Sequence, residues 1–299
     1  MDEPKGRDRT IKLMKFLPPS EISDVANLLR LSRNQNLGSY PELKQQARAI
    51  LRSYISYRKS RGNPKSPLCP APLSISQNLK DALRRHYSHP PKNSLEFIED
   101  FRSRGSPNVC PMCGSPKTGS IDHLFPQGAY AEFSIFSINL VPACDCNTKR
   151  QDVLVGDCDG ERVFHPYFDA ILAQRLVSTS ILSSPEHGFN RPLISLKGTL
   201  QSDDDNFSAL EFHIKSILHK TNIIDHLNCS WINLIETPKD YIWIPTGLSP
   251  ISVANLGSLL QGLLGRYDRK FGTPNNWDSI LISGLVETPE AIDFLLSRI

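Results

Sequence analysis

Two close pairs of cysteines within 37 residues constrain this chain more than any other feature. Cys110 and Cys113 form a Cys-x-x-Cys followed by Gly114, a tight turn in which the glycine lets the backbone pass beneath an ion. Cys144 and Cys146 supply the second pair. Four thiolates favour tetrahedral zinc, and a site with four sulfur ligands and no open position is structural. Such a staple suits a segment of about 45 residues, near the size at which an apolar core alone seldom holds a fold. Cys144-x-Cys146 has a tighter bite than the usual two-residue spacing, so Cys158 stands as a substitute ligand. Cys69 and Cys229 read as ordinary buried thiols. Seven cysteines do not make a disulfide framework, which points to a reducing compartment, the cytoplasm.

The 299 residues, 39% of them hydrophobic, can bury one large core or two smaller ones. No stretch approaches the ~20 apolar residues of a membrane span. The opening MDEPKGRDRTIKLMKF lacks the apolar centre of a signal peptide, so neither export nor membrane insertion is expected. Formal charge is +3, but unevenly spread. Residues 1–100 carry 18 basic and 10 acidic side chains, net +8; residues 101–200 balance; residues 201–299 carry 7 and 12, net −5. A front end that meets an anion, plausibly nucleic acid, fits that gradient.

The pattern predicts an α+β chain dominated by helix. Ser20 can cap a helix with apolar positions Ile22, Val25, Ala26, Leu28 and Leu29, and a second helix from Pro41 should turn Leu43, Ala47, Ile50, Leu51, Tyr54 and Ile55 inward. Lys44, Arg48, Arg52, Arg58, Lys59, Arg61 and Lys65 make this the densest basic segment, either a solvated face or a phosphate-contacting surface. A proline-rich loop (62–74) precedes short helices over 76–87 and 94–103, the latter with Asn93 and Glu96 in capping-box spacing. Further on, helices are expected from Pro166 through Leu176, over Asn206 to Leu227 and Ser249 to Lys270, and from Thr288–Pro289, with short strands at Trp231–Ile235 and Tyr241–Ile244. Three regions follow: a basic helical part (1–105), a central finger (106–160) and a mostly helical scaffold (161–299). The acidic, Leu-rich end of the scaffold suits docking on another protein or a second copy.

Between the cysteine pairs lies Ile121-Asp122-His123-Leu124. Alternation along a strand would send Asp122 and His123 to opposite sides unless the strand bends or the ligand sits at its edge. A carboxylate for a hard cation and an imidazole to take a proton from water are parts of metal-assisted phosphodiester hydrolysis. Taken singly, Asp-His is a surface turn, Asn139 a strand-end cap and Asn147 a helix cap. His165, in Phe164-His165-Pro166-Tyr167-Phe168, reads as a packed or capping histidine outside the catalytic set.

Taken together, the order Cys-x-x-Cys, Asp-His-x-x-Pro, Asn-Leu-x-x, Cys, Cys-Asn and a following basic residue resembles the HNH endonucleases, built on a ββα-metal finger. The resemblance covers residues 110 to about 152. It implies that His123 is the general base and that Asp122 is a ligand of a catalytic Mg²⁺ or Mn²⁺. Asn139 would brace the loop between the strands and orient His123, and Asn147 would be the second ligand. Lys149 and Arg150 would contact phosphate near a helix N-terminus. The expected products are a 5′-phosphate and a 3′-hydroxyl, with DNA favoured over RNA. The chain departs from the family in its Cys-x-Cys and in having basic residues both two and three positions after Asn147. Proteins of this build are similar to those encoded beside ATPases in bacterial anti-phage defence, which implies an ATPase-type partner. The alternative is a non-catalytic zinc module that holds nucleic acid or protein.

Overall fold

The computed structural model describes residues 23–103, 109–117, 119–245 and 251–299. Its first helix, α1 (Asp24–Arg33), is capped by Ser23, whose Oγ accepts the Ala26 N–H at 3.3 Å. Ser23 thus takes the role expected of Ser20, which lies with Ile22 outside the described residues. Helix α2 (Glu42–Lys59) starts after Pro41 and buries Leu43, Ala47, Ile50, Tyr54 and Tyr57. That 4-3-4-3 spacing carries the stripe to Tyr57 and leaves Ile55, expected inward, exposed and Leu51 half-buried. Ser76 caps α3 (Gln77–Ser88), and the Asn93 N–H donates to Glu96 Oε1 at the start of α4 (Glu96–Ser103), as half of a capping box.

Strands β1 (Ser120–His123) and β2 (Leu140–Ala143) pair antiparallel, with Ser120 opposite Ala143 and His123 opposite Leu140. The five-residue helix α5 (Cys146–Arg150) follows, giving strand, strand, helix between and after the cysteine pairs.

The second half departs further from expectation. Between Pro166 and Leu176 there is no α-helix, only turns and one 3-10 turn over Ala170–Ala173. The Asp169 carboxylate takes the His165 N–H and the Arg162 guanidinium and closes the chain on itself. An unforeseen antiparallel hairpin follows, β3 (Val177–Ser184) and β4 (Gly188–Gly198). The helix expected over Asn206–Leu227 is divided into α6 (Phe207–Ser216) and α7 (Ile223–Glu236), because Thr221 Oγ1 accepts the Ile223 N–H and restarts the chain. Trp231–Ile235 is helix, since Ile223, Leu227, Trp231 and Leu234 fall on one buried face. Tyr241 ends the short α8 (Pro238–Tyr241), and the chain to Ile244 is not strand. Helices α9 (Val253–Phe271), α10 (Trp277–Val286) and α11 (Pro289–Leu296) complete the chain, with the expected α9 start at Ser249 outside the described residues.

The molecule is α+β with two small sheets, and one apolar cluster runs without a break from Leu28 through the finger to Leu295. α10 lies against β3 at Gly284, where any Cβ would run into Thr179. Among the described residues, no helix is long and apolar enough to cross a membrane.

Candidate metal centre and active site

The sulfurs of Cys110, Cys113, Cys144 and Cys146 all lie within 4.8 Å of one another and are buried, with 3.6 Å between Cys110 and Cys146 and 3.4 Å between Cys113 and Cys144. Zinc–sulfur bonds of about 2.3 Å make a tetrahedron with edges of about 3.8 Å, so the donor set fits a structural zinc ion. The knuckle closes through Gly114 N–H to the Cys110 carbonyl (2.9 Å), and Gly114 sits at φ +77°, where a side chain would be strained. Burial opposes ionisation of Cys110. Hydrogen bonds from the other three thiols and the Cys144 N–H nevertheless hold its thiol well below the ordinary cysteine range. Cys144 therefore completes the set, and the alternative, Cys158, is exposed elsewhere. Cys229 is exposed and Cys69 half-buried, so neither is the fully buried thiol expected.

The far end of the chain clamps this knuckle. His213 Nε2 donates to the Met112 carbonyl (2.7 Å), Trp277 Nε1 to the Cys113 carbonyl (2.8 Å) and the Trp277 N–H to the Gly114 carbonyl (3.3 Å). His213 Nδ1 accepts the Phe164 N–H, and burial pulls its pKa down to about 4. No local motif marks either residue, so sequence reasoning missed both.

A cleft of about 210 Å³ opens beside α5, with Asp122, His123, Gln127, Asn147 and Thr148 among its walls. His123 is buried, and its Nε2 lies 2.9 Å from the Ser134 carbonyl. A carbonyl only accepts, so the proton resides on Nε2 and the Nδ1 lone pair is left without a bond to the described residues. Burial lowers the His123 pKa, which keeps the ring neutral. The Tyr87 ring stands edge-on to it at 4.4 Å, anchored by its hydroxyl on the Ile121 carbonyl and capped by the Arg102 guanidinium. Asp122 accepts the His123 N–H (2.7 Å) on one oxygen and the Thr148 hydroxyl (3.3 Å) on the other. Both residues line the same cleft at the strand end despite their alternation.

Asn139 is fully buried. Its Oδ1 accepts the Phe125 N–H (2.8 Å), and its Nδ2 donates to the carbonyls of Phe125 (3.1 Å) and Phe133 (3.3 Å), bridging both ends of the loop between β1 and β2. Asn147 Nδ2 donates to the His123 carbonyl (2.9 Å). Its Oδ1 accepts from both Nε (3.1 Å) and Nη2 (2.9 Å) of Arg150. Both lone pairs of that oxygen are occupied, so the ligand role expected of Asn147 has no free donor in this arrangement. Arg150 also departs from expectation. It lines the cleft but is 3% exposed, and its guanidinium is engaged by the carbonyls of Leu124 and Val153, which makes it a brace of the finger. Lys149 is exposed and paired with Asp145.

The basic run of α2 and the turns after it also divides. Arg58 pairs with the buried Asp24, whose carboxylate also takes the Ser137 N–H and hydroxyl; Arg61 caps the Phe168 carbonyl; Lys65 caps those of Gly156 and Cys158. Lys44, Arg48, Arg52 and Lys59 are exposed and lack acidic partners among the described residues. Burial pulls the His165 pKa down to about 3, in keeping with an interior, packed residue.

No family model matches the chain, and no solved structure does. Over 109 residues it is 33% identical to Protein ea31 of Escherichia phage lambda, a match that covers 34% of this chain. The chain spans about a third of the length (36%) of this curated relative.

Proposed function

We propose that the chain is a divalent-metal-dependent endonuclease of the HNH type that hydrolyses phosphodiester bonds of nucleic acid, DNA in preference to RNA. One observation carries this reading: a neutral imidazole, His123, with Nε2–H fixed on a carbonyl and Nδ1 unengaged by the described residues, shares a cleft with the Asp122 carboxylate beside a four-cysteine cluster. His123 takes the proton of the attacking water at Nδ1. The water oxygen forms a bond to phosphorus, the bond to the 3′ oxygen breaks, and that oxygen takes a proton from solvent water, leaving a 5′-phosphate and a 3′-hydroxyl. Asp122 keeps lone pairs beyond its two hydrogen bonds and would hold the ion, and Asn147 would join it only if Arg150 released its oxygen. A Mg²⁺ or Mn²⁺ ion held there would supply charge neutralisation at the phosphate and the leaving oxygen. Lys44, Arg48, Arg52 and Lys59 form an exposed cationic stripe on α2, suited to salt-sensitive backbone contact.

Plasmid nicking with Mg²⁺ or Mn²⁺, wild type against His123→Ala, tests the reading. A loss of roughly 10²- to 10⁴-fold in rate is expected of a missing general base, and equal activity overturns it. The occupied Asn147 oxygen favours a second reading, a zinc module that binds nucleic acid or protein without cutting. Binding unchanged in His123→Ala, with no cleavage by either protein, would select it. A role as effector of an anti-phage complex with an ATPase-type partner, or self-association through the C-terminal region, extends the first reading. Size-exclusion of the full chain tests this, and a monomer that cuts fully alone argues against an obligate partner.

A further inference from the structure

We propose that Tyr57, on α2 and outside the motif, is a positioning residue for His123, acting through Asn139, with His165 fixing the direction of its hydroxyl. The inference rests on the reading of His123 as the general base. Tyr57 is fully buried, and its hydroxyl lies 3.1 Å from Asn139 Oδ1 and 2.9 Å from His165 Nε2. A hydroxyl has one proton, and an amide oxygen only accepts, so Tyr57 donates to Asn139. His165 must then donate from Nε2 to the Tyr57 oxygen. Its other nitrogen agrees: Nδ1 accepts the Tyr167 N–H at 3.2 Å, which leaves the proton on Nε2. Every proton in the series His165, Tyr57, Asn139 is thereby assigned.

The series ends on the loop that faces His123. Tyr57 and the Phe125 N–H fill both lone pairs of Asn139 Oδ1, and the Asn139 amide then points at the carbonyls of Phe125 and Phe133. Phe125 is two residues after His123, and Phe133 immediately precedes Ser134, whose carbonyl fixes the His123 tautomer. Removing the Tyr57 hydroxyl leaves one lone pair of Asn139 open and loosens the Ser134 carbonyl. The Tyr57 ring packs against Phe125 and Phe133, each at 4.9 Å, and Phe136 at 5.3 Å, so Tyr57→Phe keeps this packing and deletes only the polar link.

Nitrogen-15 NMR of the imidazoles in the full-length protein tests the series, alongside kcat and KM for plasmid cleavage. In wild type, His165 and His123 are both expected as Nε2–H tautomers; an Nδ1–H tautomer at His165 overturns the proposal without any variant. In Tyr57→Phe, His123 is expected to show a mixture of tautomers, and kcat to fall roughly 10- to 100-fold while KM stays within about twofold. His165→Gln, whose amide can still donate to Tyr57, should keep most of the rate, and His165→Leu should not. A folded Tyr57→Phe with His123 wholly Nε2–H and kcat within about twofold of wild type overturns the proposal. Should Tyr57→Phe not fold, the wild-type tautomers and the two His165 variants decide. A wild type that never cuts overturns the general-base reading, while the imidazole signals still decide the series.

Discussion

His213 and His123 are both buried, neutral imidazoles that donate from Nε2 to a backbone carbonyl, yet they belong to opposite kinds of place. At the back of the knuckle, His213 has both nitrogens engaged, and its neighbour Trp277 closes two more carbonyls. At the cleft, His123 has one nitrogen engaged and, among the described residues, one left over, beside a carboxylate with lone pairs to offer. The same side chain is a strut where its bonding is complete and keeps a lone pair to offer where it is not. Burial alone separates nothing here; the inventory of unfilled donors and acceptors does.

The widest gap between the two places should appear on removing the metal. Cys110→Ser is expected to abolish zinc retention and cooperative unfolding of the finger, since binding to such a site contributes on the order of 10 kcal/mol. Metal content by elemental analysis and circular-dichroism melts check this, and a variant that retains stoichiometric metal would break the comparison at its base. Next comes pH. His213 has a folded pKa of about 4 against an ordinary 6.5, so the unfolded chain binds a proton that the folded one refuses. Its stabilising contribution is complete above pH 6.5 and drains as pH falls toward 4, on the order of 3 kcal/mol in all. Urea unfolding across that window should be less acid-sensitive in His213→Gln than in wild type, and identical slopes would deny His213 its role as a strut.

A smaller effect is expected from Trp277→Phe, which deletes one hydrogen bond to the Cys113 carbonyl: about 1 kcal/mol of stability and faster zinc release to a chromogenic chelator. Should zinc leave no faster, the back face does not support the metal. Smallest is the paired change Arg48→Ala with Arg52→Ala. The dependence of nucleic-acid affinity on salt should flatten by about two phosphate contacts, with melting temperature unchanged. An unaltered slope would make the α2 stripe a merely solvated face.

The metal centre was the most legible part, because Cys-x-x-Cys-Gly is a local device whose spacing does the geometric work. α2, α3, α4, α9 and α11 were legible for a similar reason: each carries its apolar period within itself. The hairpin of β3 and β4 was not. The inner end of β3, Val177 to Thr179, is buried on both faces, so alternation is lost. Its Ser178 and Thr179 are small polar residues that satisfy themselves on α10, at the Ser283 hydroxyl and the Ile280 and Leu281 carbonyls. Trp231–Ile235 misled because four apolar residues around Asn233 fit either period, and only the preceding Ile223 and Leu227 decide. Within the site, residue identity placed Asp122 and His123, but the occupation of the Asn147 oxygen and the burial of Arg150 are tertiary facts. An arginine three positions after a motif asparagine looks the same whether it faces phosphate or carbonyls.

The clamp on the knuckle also sets an order in time. Trp277 meets Cys113 across 164 residues of chain. At about 5–20 residues per second, a ribosome takes roughly 10–30 seconds to deliver that tryptophan after the knuckle has been made. From Cys146 onward the emerging polypeptide holds Asp122, His123 and all four sulfurs, but the backbone beneath them is still open on the side that Trp277 will close. A cell making this protein therefore closes the underside of the knuckle only after a further 164 residues have been joined.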